Sequence, residues 1–394
     1  MGGTMTITGT LKGSPALGIV FALAAGPQAP ARPVALSSER VSAPMELEGA
    51  RPVVAVTING RGPYRFILDT GAHGSVVSKS LADELGLPVS GESELRSPAG
   101  GSGVVAKVVT IDRLAIGGAS ASGVVAASMD FASMFPSPEA PRGILSPSVF
   151  PGVLLTLDYP KQEVVVQRGE LPAPDGSEVF EDVSEDGLPM IPLTVAGRSV
   201  KAHVDTGSPG GISLPKAMAA DLPLASPLVE KHRARTVDKE FVIMGAPLKG
   251  ELKLGRYTLE NPDLAFTDLP VANVGSDFLR RYAVTLDVRN HRVRLEEGAT
   301  APPPSPAPRR YGVRMIPSSS GGLEVAGTDP GSPAEKAGLR AGDRIVSVNG
   351  KETKALDPAG VAALMRVSPV TLVIEREGKQ LVIEMSLDER QPGS

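Results

Sequence analysis

The chain states one short motif twice, and each statement sits in the same local setting. The first copy is Phe66-Ile67-Leu68-Asp69-Thr70-Gly71-Ala72, and the second is Ala202-His203-Val204-Asp205-Thr206-Gly207-Ser208. In both, an apolar run ends on an aspartate, and a threonine and a glycine follow. The aspartates lie 205 − 69 = 136 residues apart. Ahead of the first, residues 53–58 are rich in β-branched side chains, residues 59–63 read as a turn, and residues 64–68 read as the returning strand. Ahead of the second, residues 192–195 form a strand, residues 196–198 a turn, and residues 200–204 the return. Each hairpin delivers its aspartate at a strand end. Behind the first copy, Ser78 or Ser80 caps a short helix through Leu85 that Gly86 and Pro88 end. Behind the second, Pro215 opens a helical stretch over residues 216–222. Further on, Thr156-Leu157-Asp158-Tyr159 matches Thr285-Leu286-Asp287-Val288 at an offset of 285 − 156 = 129. Two stretches that keep nearly one offset over such a length are two copies of one fold.

Two carboxylates supplied by two such copies suggest one shared acid–base site. Held close together they cannot both ionise cheaply, so they share a proton and titrate as a unit. The ionised member can draw a proton from water while the protonated member polarises a carbonyl. Those are the two tasks of peptide hydrolysis without a covalent nucleophile. Thr70 and Thr206 can hydrogen-bond across the seam between the copies. Gly71 and Gly207 let a backbone N–H approach a carboxylate with no Cβ in the way. Ser208 can also reach the outer oxygen of Asp205, while Ala72 offers Asp69 nothing equivalent. Asp205 is therefore expected to be the more readily ionised member.

At this point a family resemblance is plain. Leu68-Asp69-Thr70-Gly71-Ala72 and Val204-Asp205-Thr206-Gly207-Ser208 resemble the paired active-site turns of retropepsin-like aspartic proteases. Val274-Gly275-Ser276-Asp277-Phe278-Leu279 resembles the Gly-rich apolar turn that lies behind the active site in that family. Its counterpart in the first copy is Gly143-Ile144-Leu145-Ser146, with Ser146 where the family usually has glycine. The resemblance covers about residues 50–297. It implies a mainly β protein whose two retropepsin-like β-barrel lobes form a pepsin-like bilobal protease in one chain. It also implies an aspartic-type endopeptidase that acts on an extended peptide or protein substrate, with Asp69 and Asp205 as catalytic residues. Thr70, Gly71, Thr206, Gly207 and Ser208 would support them, and no cofactor or metal is implied. The glycine-rich stretch 99–103 suits the tip of a flap over the cleft or an ordinary surface turn, and no aromatic residue stands near it.

A proline-rich run, residues 301–308, follows the second copy. In polyproline II form its eight residues would span roughly 25 Å, at ~3.1 Å each. Beyond it, Gly331-Ser332-Pro333-Ala334-Glu335-Lys336-Ala337-Gly338-Leu339-Arg340-Ala341-Gly342-Asp343 and the following Val346-Ser347-Val348-Asn349-Gly350 resemble the PDZ domains of bacterial envelope proteases. That resemblance spans about residues 309–389 and implies a small α+β domain that captures C-terminal peptide tails by adding a strand to a sheet edge. The carboxylate loop would be Arg310-Tyr311-Gly312-Val313, and the pocket helix would run over residues 358–365. Arg309 and Arg310 either assist the carboxylate or form a solvated basic pair at the linker end. The expected organisation is a signal peptide at 1–31, an N-terminal segment at 32–41, lobe 1 at 42–171, a linker at 172–186, lobe 2 at 187–298, a second linker at 299–308, and the PDZ domain at 309–389.

The N-terminus supports an exported protein, periplasmic or extracellular. Lys12 precedes an apolar run over residues 16–25, and Ala29 and Ala31 are spaced as for cleavage. An uncleaved signal would leave an N-terminal anchor, but about ten apolar residues fall short of the ~20 a spanning helix needs. A net charge of −4 and the absence of Trp give no footing for nucleic acid. The absence of cysteine excludes disulfides, thiolate zinc sites and cysteine nucleophiles. His73, His203, His232 and His291 show no metal-ligand spacing, although strand alternation puts His203 on the side of Asp205. Two further readings stay open. One is a peptide-binding adaptor whose lobes are catalytically inactive and whose PDZ domain does the work. The other is an obligate dimer, which two complementary copies in one chain make unnecessary, so a monomer is expected.

Overall fold

The computed structural model describes residues 22–23, 33–96, 103–130, 140–184, 187–235, 240–298, 311–318, 321–328, 332–355, 361, 364–365 and 368–386. Outside these lie nearly all of the predicted signal peptide, most of the glycine-rich stretch 99–103, the proline-rich run, Arg309 and Arg310, and most of the predicted pocket helix. The chain divides into two compact units, one holding both copies of the repeat and the other holding residues 311–386.

Within the larger unit each copy is a β-rich lobe. In lobe 1 the strands Arg51–Ile58 and Arg61–Leu68 form an antiparallel hairpin. Its two-residue turn places Asn59 and Gly60 at φ of 50° and 78°, the paired left-handed conformation that fits the twist of a tight hairpin. The turn is shorter than the sequence pattern suggested, because pairing resumes at Arg61. Lobe 2 repeats the device with Met190–Val195 and Arg198–Asp205 around Ala196 and Gly197, at φ of 47° and 81°. In lobe 1 the helix Lys79–Leu85 is capped by Ser78, whose hydroxyl accepts the Leu81 N–H at 3.2 Å. Gly86 closes it at φ +62°. The lobe 2 counterpart, Lys216–Asp221, is a 3₁₀ helix with no side-chain cap, since Pro215 has no hydroxyl to offer.

The lobes meet in a shared sheet. Its order runs Arg40–Glu48, Glu163–Gln167, Leu154–Asp158, Tyr282–Asp287, Arg292–Glu297 and Val179–Glu181. The two central strands are equivalents, and they pair antiparallel with Thr156 opposite Thr285. Their hydroxyls lie 2.9 Å apart, so the sequence offset of 129 becomes a direct contact on the pseudo-twofold axis. Residues 172–186 do more than link the lobes. Val179 and Phe180 are buried there, and Val179–Glu181 adds the outermost strand of this sheet. One continuous apolar core runs through both lobes and includes Leu68, Leu145, Leu155, Val204, Val274 and Leu286.

Each lobe also carries a second hairpin. In lobe 1, Val89–Arg96 pairs with Val104–Ile116, flanking the glycine-rich stretch. Ala22–Leu23 pairs with the outer side of that hairpin, opposite Leu95 and Arg96. Lobe 2 has its counterpart in Val229–Arg235 and Glu240–Pro247.

The smaller unit is a sheet ordered Val313–Pro317, Leu323–Thr328, Arg344–Val348, Val370–Arg376 and Lys379–Met385, with Lys351–Glu352 paired to the third strand. Tyr311, Val325, Leu339, Ile345, Leu372 and Ile374 fill its core. Asp343 is buried at the core's edge, where Arg376 grips both its oxygens at 2.6 and 2.7 Å. Val313–Pro317 is an edge strand whose outer side is unpaired among the described residues.

Candidate active site

Parallel pairing inside each lobe sets the two aspartates. In lobe 1, Arg61–Leu68 runs beside Gly143–Leu145, and the Asp69 N–H donates to the Leu145 carbonyl at 2.9 Å. In lobe 2, Arg198–Asp205 runs beside Ala272–Gly275, with Asp205 opposite Gly275. Asp69 and Asp205 end their strands facing one another, each only 1% exposed. Behind them the threonines lock the lobes reciprocally. The Thr70 N–H donates to Thr206 Oγ1 and the Thr206 N–H to Thr70 Oγ1, both at 3.0 Å. Thr206 Oγ1 then donates to the Leu68 carbonyl at 2.6 Å, and Thr70 Oγ1 donates to the Val204 carbonyl. The expected contact across the seam is present, and it uses all four groups of the two threonines that can reach.

The glycines are needed at closer quarters than backbone approach alone requires. A Cβ on Gly71 would lie 2.6 Å from Asp205 Oδ1, and one on Gly207 would fall inside the carboxyl of Asp69. Each glycine makes room for the carboxylate of the opposite lobe. Gly71 also donates its N–H to Asp69 Oδ1 at 2.8 Å.

Ser146 occupies the position where lobe 2 has Gly275, and the structure accommodates it. In lobe 2 a Cβ at Gly275 would collide with the carbonyls of Gly210 and Ser208. There the Gly275 N–H donates to the Gly211 carbonyl. In lobe 1 the Ser75 hydroxyl takes that role, accepting the Ser146 N–H at 3.1 Å. Ser146 keeps an extended backbone and caps the turn Pro147–Val149 through its hydroxyl.

The surroundings of the two carboxyls differ. Asp205 Oδ1 accepts the Ser208 N–H at 3.0 Å, and Asp205 Oδ2 accepts Asn273 Nδ2 at 2.9 Å. Asp69 Oδ2 receives no hydrogen bond from a donor among the described residues. It faces Asp205, with which it can share a proton. Burial pushes the Asp69 carboxyl well above the usual carboxylate range, and the charge of Asp205 adds to it, against the Gly71 N–H and the positive charge of Arg51. Burial also raises Asp205, but Asn273, the Ser208 N–H and the charge of His203 all work to lower it. Ser208 thus contributes its backbone N–H to Asp205, and the side-chain donor is Asn273. Nothing in the motif pointed to Asn273. The available signal was a lone polar residue inside an apolar strand, which must find a partner when buried.

A second tie across the lobes was also not read from the sequence. Tyr159 of lobe 1 is fully buried, and its hydroxyl lies 2.9 Å from Ser276 Oγ of lobe 2, which donates to the Thr206 carbonyl at 2.6 Å. A groove of about 340 Å³ on the shared sheet is lined by residues such as Arg40, Thr156, Lys161 and Arg294 and by neither aspartate. No three His, Asp or Glu side chains among the described residues are gathered as a metal would require.

The aspartyl protease family matches this chain over residues 54–154 and 191–279, which takes in both aspartates, and the PDZ domain family matches over residues 324–376. The chain carries a retropepsin-like aspartyl-protease domain followed by a PDZ domain. Among curated proteins it is 36% identical over 83 residues to the mouse Na(+)/H(+) exchange regulatory cofactor NHE-RF2, covering 21% of this chain and 23% of that protein. It is 43% identical over 68 residues to a probable periplasmic serine endoprotease, DegP-like, of Chlamydia trachomatis, covering 17% of this chain and 14% of that protein. These curated relatives are thus matched over less than a quarter of their own length. Among solved structures it is similar to the HtrA3 PDZ domain bound to a phage-derived ligand, at 27% identity and a TM-score of 0.18, covering 20% of this chain and 83% of that one.

In the PDZ domain, Tyr311 puts its ring into the core and its carbonyl accepts the Ala334 N–H at 2.8 Å. Gly312 takes φ +68°, and its carbonyl accepts the Ser332 hydroxyl at 3.4 Å. The segment Tyr311-Gly312-Val313 therefore leads straight into the unpaired edge strand.

Proposed function

We propose that the protein is an aspartic-type endopeptidase in which Asp69 and Asp205 activate water for attack on a peptide bond. The observation that carries this reading is the facing pair of buried carboxyls, each packed against the other lobe's glycine. Such a pair holds one proton at working pH. Its ionised member takes a proton from water as the water attacks the carbonyl, and its protonated member donates to the carbonyl oxygen. The Thr70–Thr206 lock keeps the two loops in register while this happens. The PDZ domain, in this reading, adds the C-terminal tail of a substrate or partner protein along the edge strand Val313–Pro317. The apolar N-terminal run supports export, and a full-length chain found only in the cytosol would remove that part of the proposal. One chain supplies both halves of the site, which supports an active monomer.

Cleavage of a mixed peptide library across pH, followed by product mass, tests the central claim. Wild type should cleave, and Asp69→Asn and Asp205→Asn should each lose at least ~1,000-fold in kcat/KM. A folded wild type that cleaves nothing at any pH but binds peptide C-termini would overturn it in favour of an adaptor. Activity that survives either substitution would mean the site is not shared.

A further inference from the structure

Residues that pair at equivalent places in the two lobes differ in kind. In lobe 1, Ile144 lies between Ile67 on one side and Val76 on the other. In lobe 2 the same row reads His203, Asn273 and Ser213. Where lobe 1 has three apolar side chains, lobe 2 has three polar ones, on the strand that ends at Asp205 and the two strands that carry Asn273 and Ser213. Asn273 is 4% exposed and His203 8%. A buried amide costs stability unless it is bonded, and Asn273 spends one of its donors on Asp205 Oδ2 at 2.9 Å. Lobe 1 cannot make this bond, because Ile144 has no donor.

We propose that Asn273, flanked by His203, is a positioning residue that makes Asp205 the member of the pair carrying the negative charge and leaves the proton on Asp69. The inference rests on the endopeptidase reading only for its consequence, that Asp205 takes the proton from water. The charge placement itself stands on geometry. A carboxylate is stabilised by each donor aimed at it. Asp205 has Asn273 on one oxygen and the Ser208 N–H on the other, while Asp69 has the Gly71 N–H on one oxygen alone among the described residues. The other groups facing the pair are few. His203 lies on the strand of Asp205 and favours its charged form. Arg51 favours the charged form of Asp69. Tyr159 is buried, with its own titration pushed far into the alkaline range by burial, and stays neutral. The balance favours Asp205.

Two variants separate this role from packing. Asn273→Leu removes the donor and keeps the bulk. Asn273→Asp keeps the shape and turns the donor into a third carboxylate. Site-resolved ¹³C titration of the aspartate carboxyls in the full chain reads the charge directly. In wild type Asp205 should titrate below Asp69. In both variants Asp205 should move up by about one pH unit or more, and the acid limb of the kcat/KM profile should follow with KM little changed. A filler role predicts that Asn273→Leu, which keeps the bulk, leaves both readouts where they were, and that result would overturn the inference. A wild-type titration with Asp69 below Asp205 would overturn it as well. If the wild-type chain proves not to cleave, the carboxyl titration still decides the charge placement, so the failure of the endopeptidase reading is distinguishable from the failure of this one.

Discussion

Asp69 is buried with one carboxyl oxygen that meets no donor among the described residues. Its carboxyl is raised well above the ordinary range by burial first and then by Asp205. The folded dyad therefore keeps a proton that the unfolded chain has already released. The folded state binds more protons over that interval, so stability falls as pH rises from the usual carboxylate range through the dyad's own titration. Asp69→Asn keeps an oxygen for the Gly71 N–H and removes the charge. It should melt above wild type at neutral and alkaline pH, with the gap closing below the ordinary carboxylate range. Thermal unfolding at several pH values checks this, and a constant gap across pH would refute it. At this scale the sequence showed the two aspartates, their threonines and their glycines, because the motif repeats in full. It did not show Asn273 or Tyr159. Their partners come from other strands, and one polar side chain in an apolar run carries no signature of what it will meet.

At the scale of elements, legibility followed local chemistry. The Ser78 cap, the Gly86 stop and the two hairpins were readable because each depends on residues a few positions apart. The strand Val179–Glu181 was not, since two buried residues in a polar stretch give no periodicity. The exchange of a glycine carbonyl for the Ser75 hydroxyl beneath Ser146 was also hidden, since it needs both lobes side by side. In the PDZ domain the decisive element contact joins the strand Val370–Arg376 to the turn before Arg344–Val348. Burial raises the Asp343 carboxyl, but the hydrogen bonds from Arg376 and the Arg340 N–H outweigh it and hold the group below its usual value. A depressed carboxylate stabilises above its unfolded pKa and loses that contribution as pH falls through the folded one. Arg376→Ala leaves the Asp343 charge without its guanidinium partner and should lower the stability of the PDZ domain at neutral pH. The loss should shrink in acid as Asp343 protonates. Urea unfolding followed by a PDZ-specific probe measures it, and an equal loss at both pH values would contradict the account.

At the scale of the whole molecule, the two sequence offsets have become one axis. The offset of 136 closes as the Thr70–Thr206 lock and that of 129 as the Thr156–Thr285 pair. Duplication explains the symmetry, and the polar row in lobe 2 shows where it has been given up. The PDZ domain is no part of this repeat, and in the sequence it follows a proline-rich run at residues 301–308. In the proposed reading, capture of a substrate's tail by the tethered PDZ domain raises the substrate's local concentration at the protease. The gain then depends on the free carboxylate and not on the residues around the scissile bond. Peptides that share one cleavage sequence should be cut at least ~10-fold faster in kcat/KM when they end in a PDZ-binding tail with a free C-terminus than when that end is amidated. Removing the PDZ domain should erase the difference by slowing the free-tailed peptide to the rate of the amidated one. Recruitment acts below saturation, so kcat should be the same for both peptides. If the full chain cuts both equally at low concentration, the tail is not how substrate arrives, and the domain's captured peptide belongs to a partner.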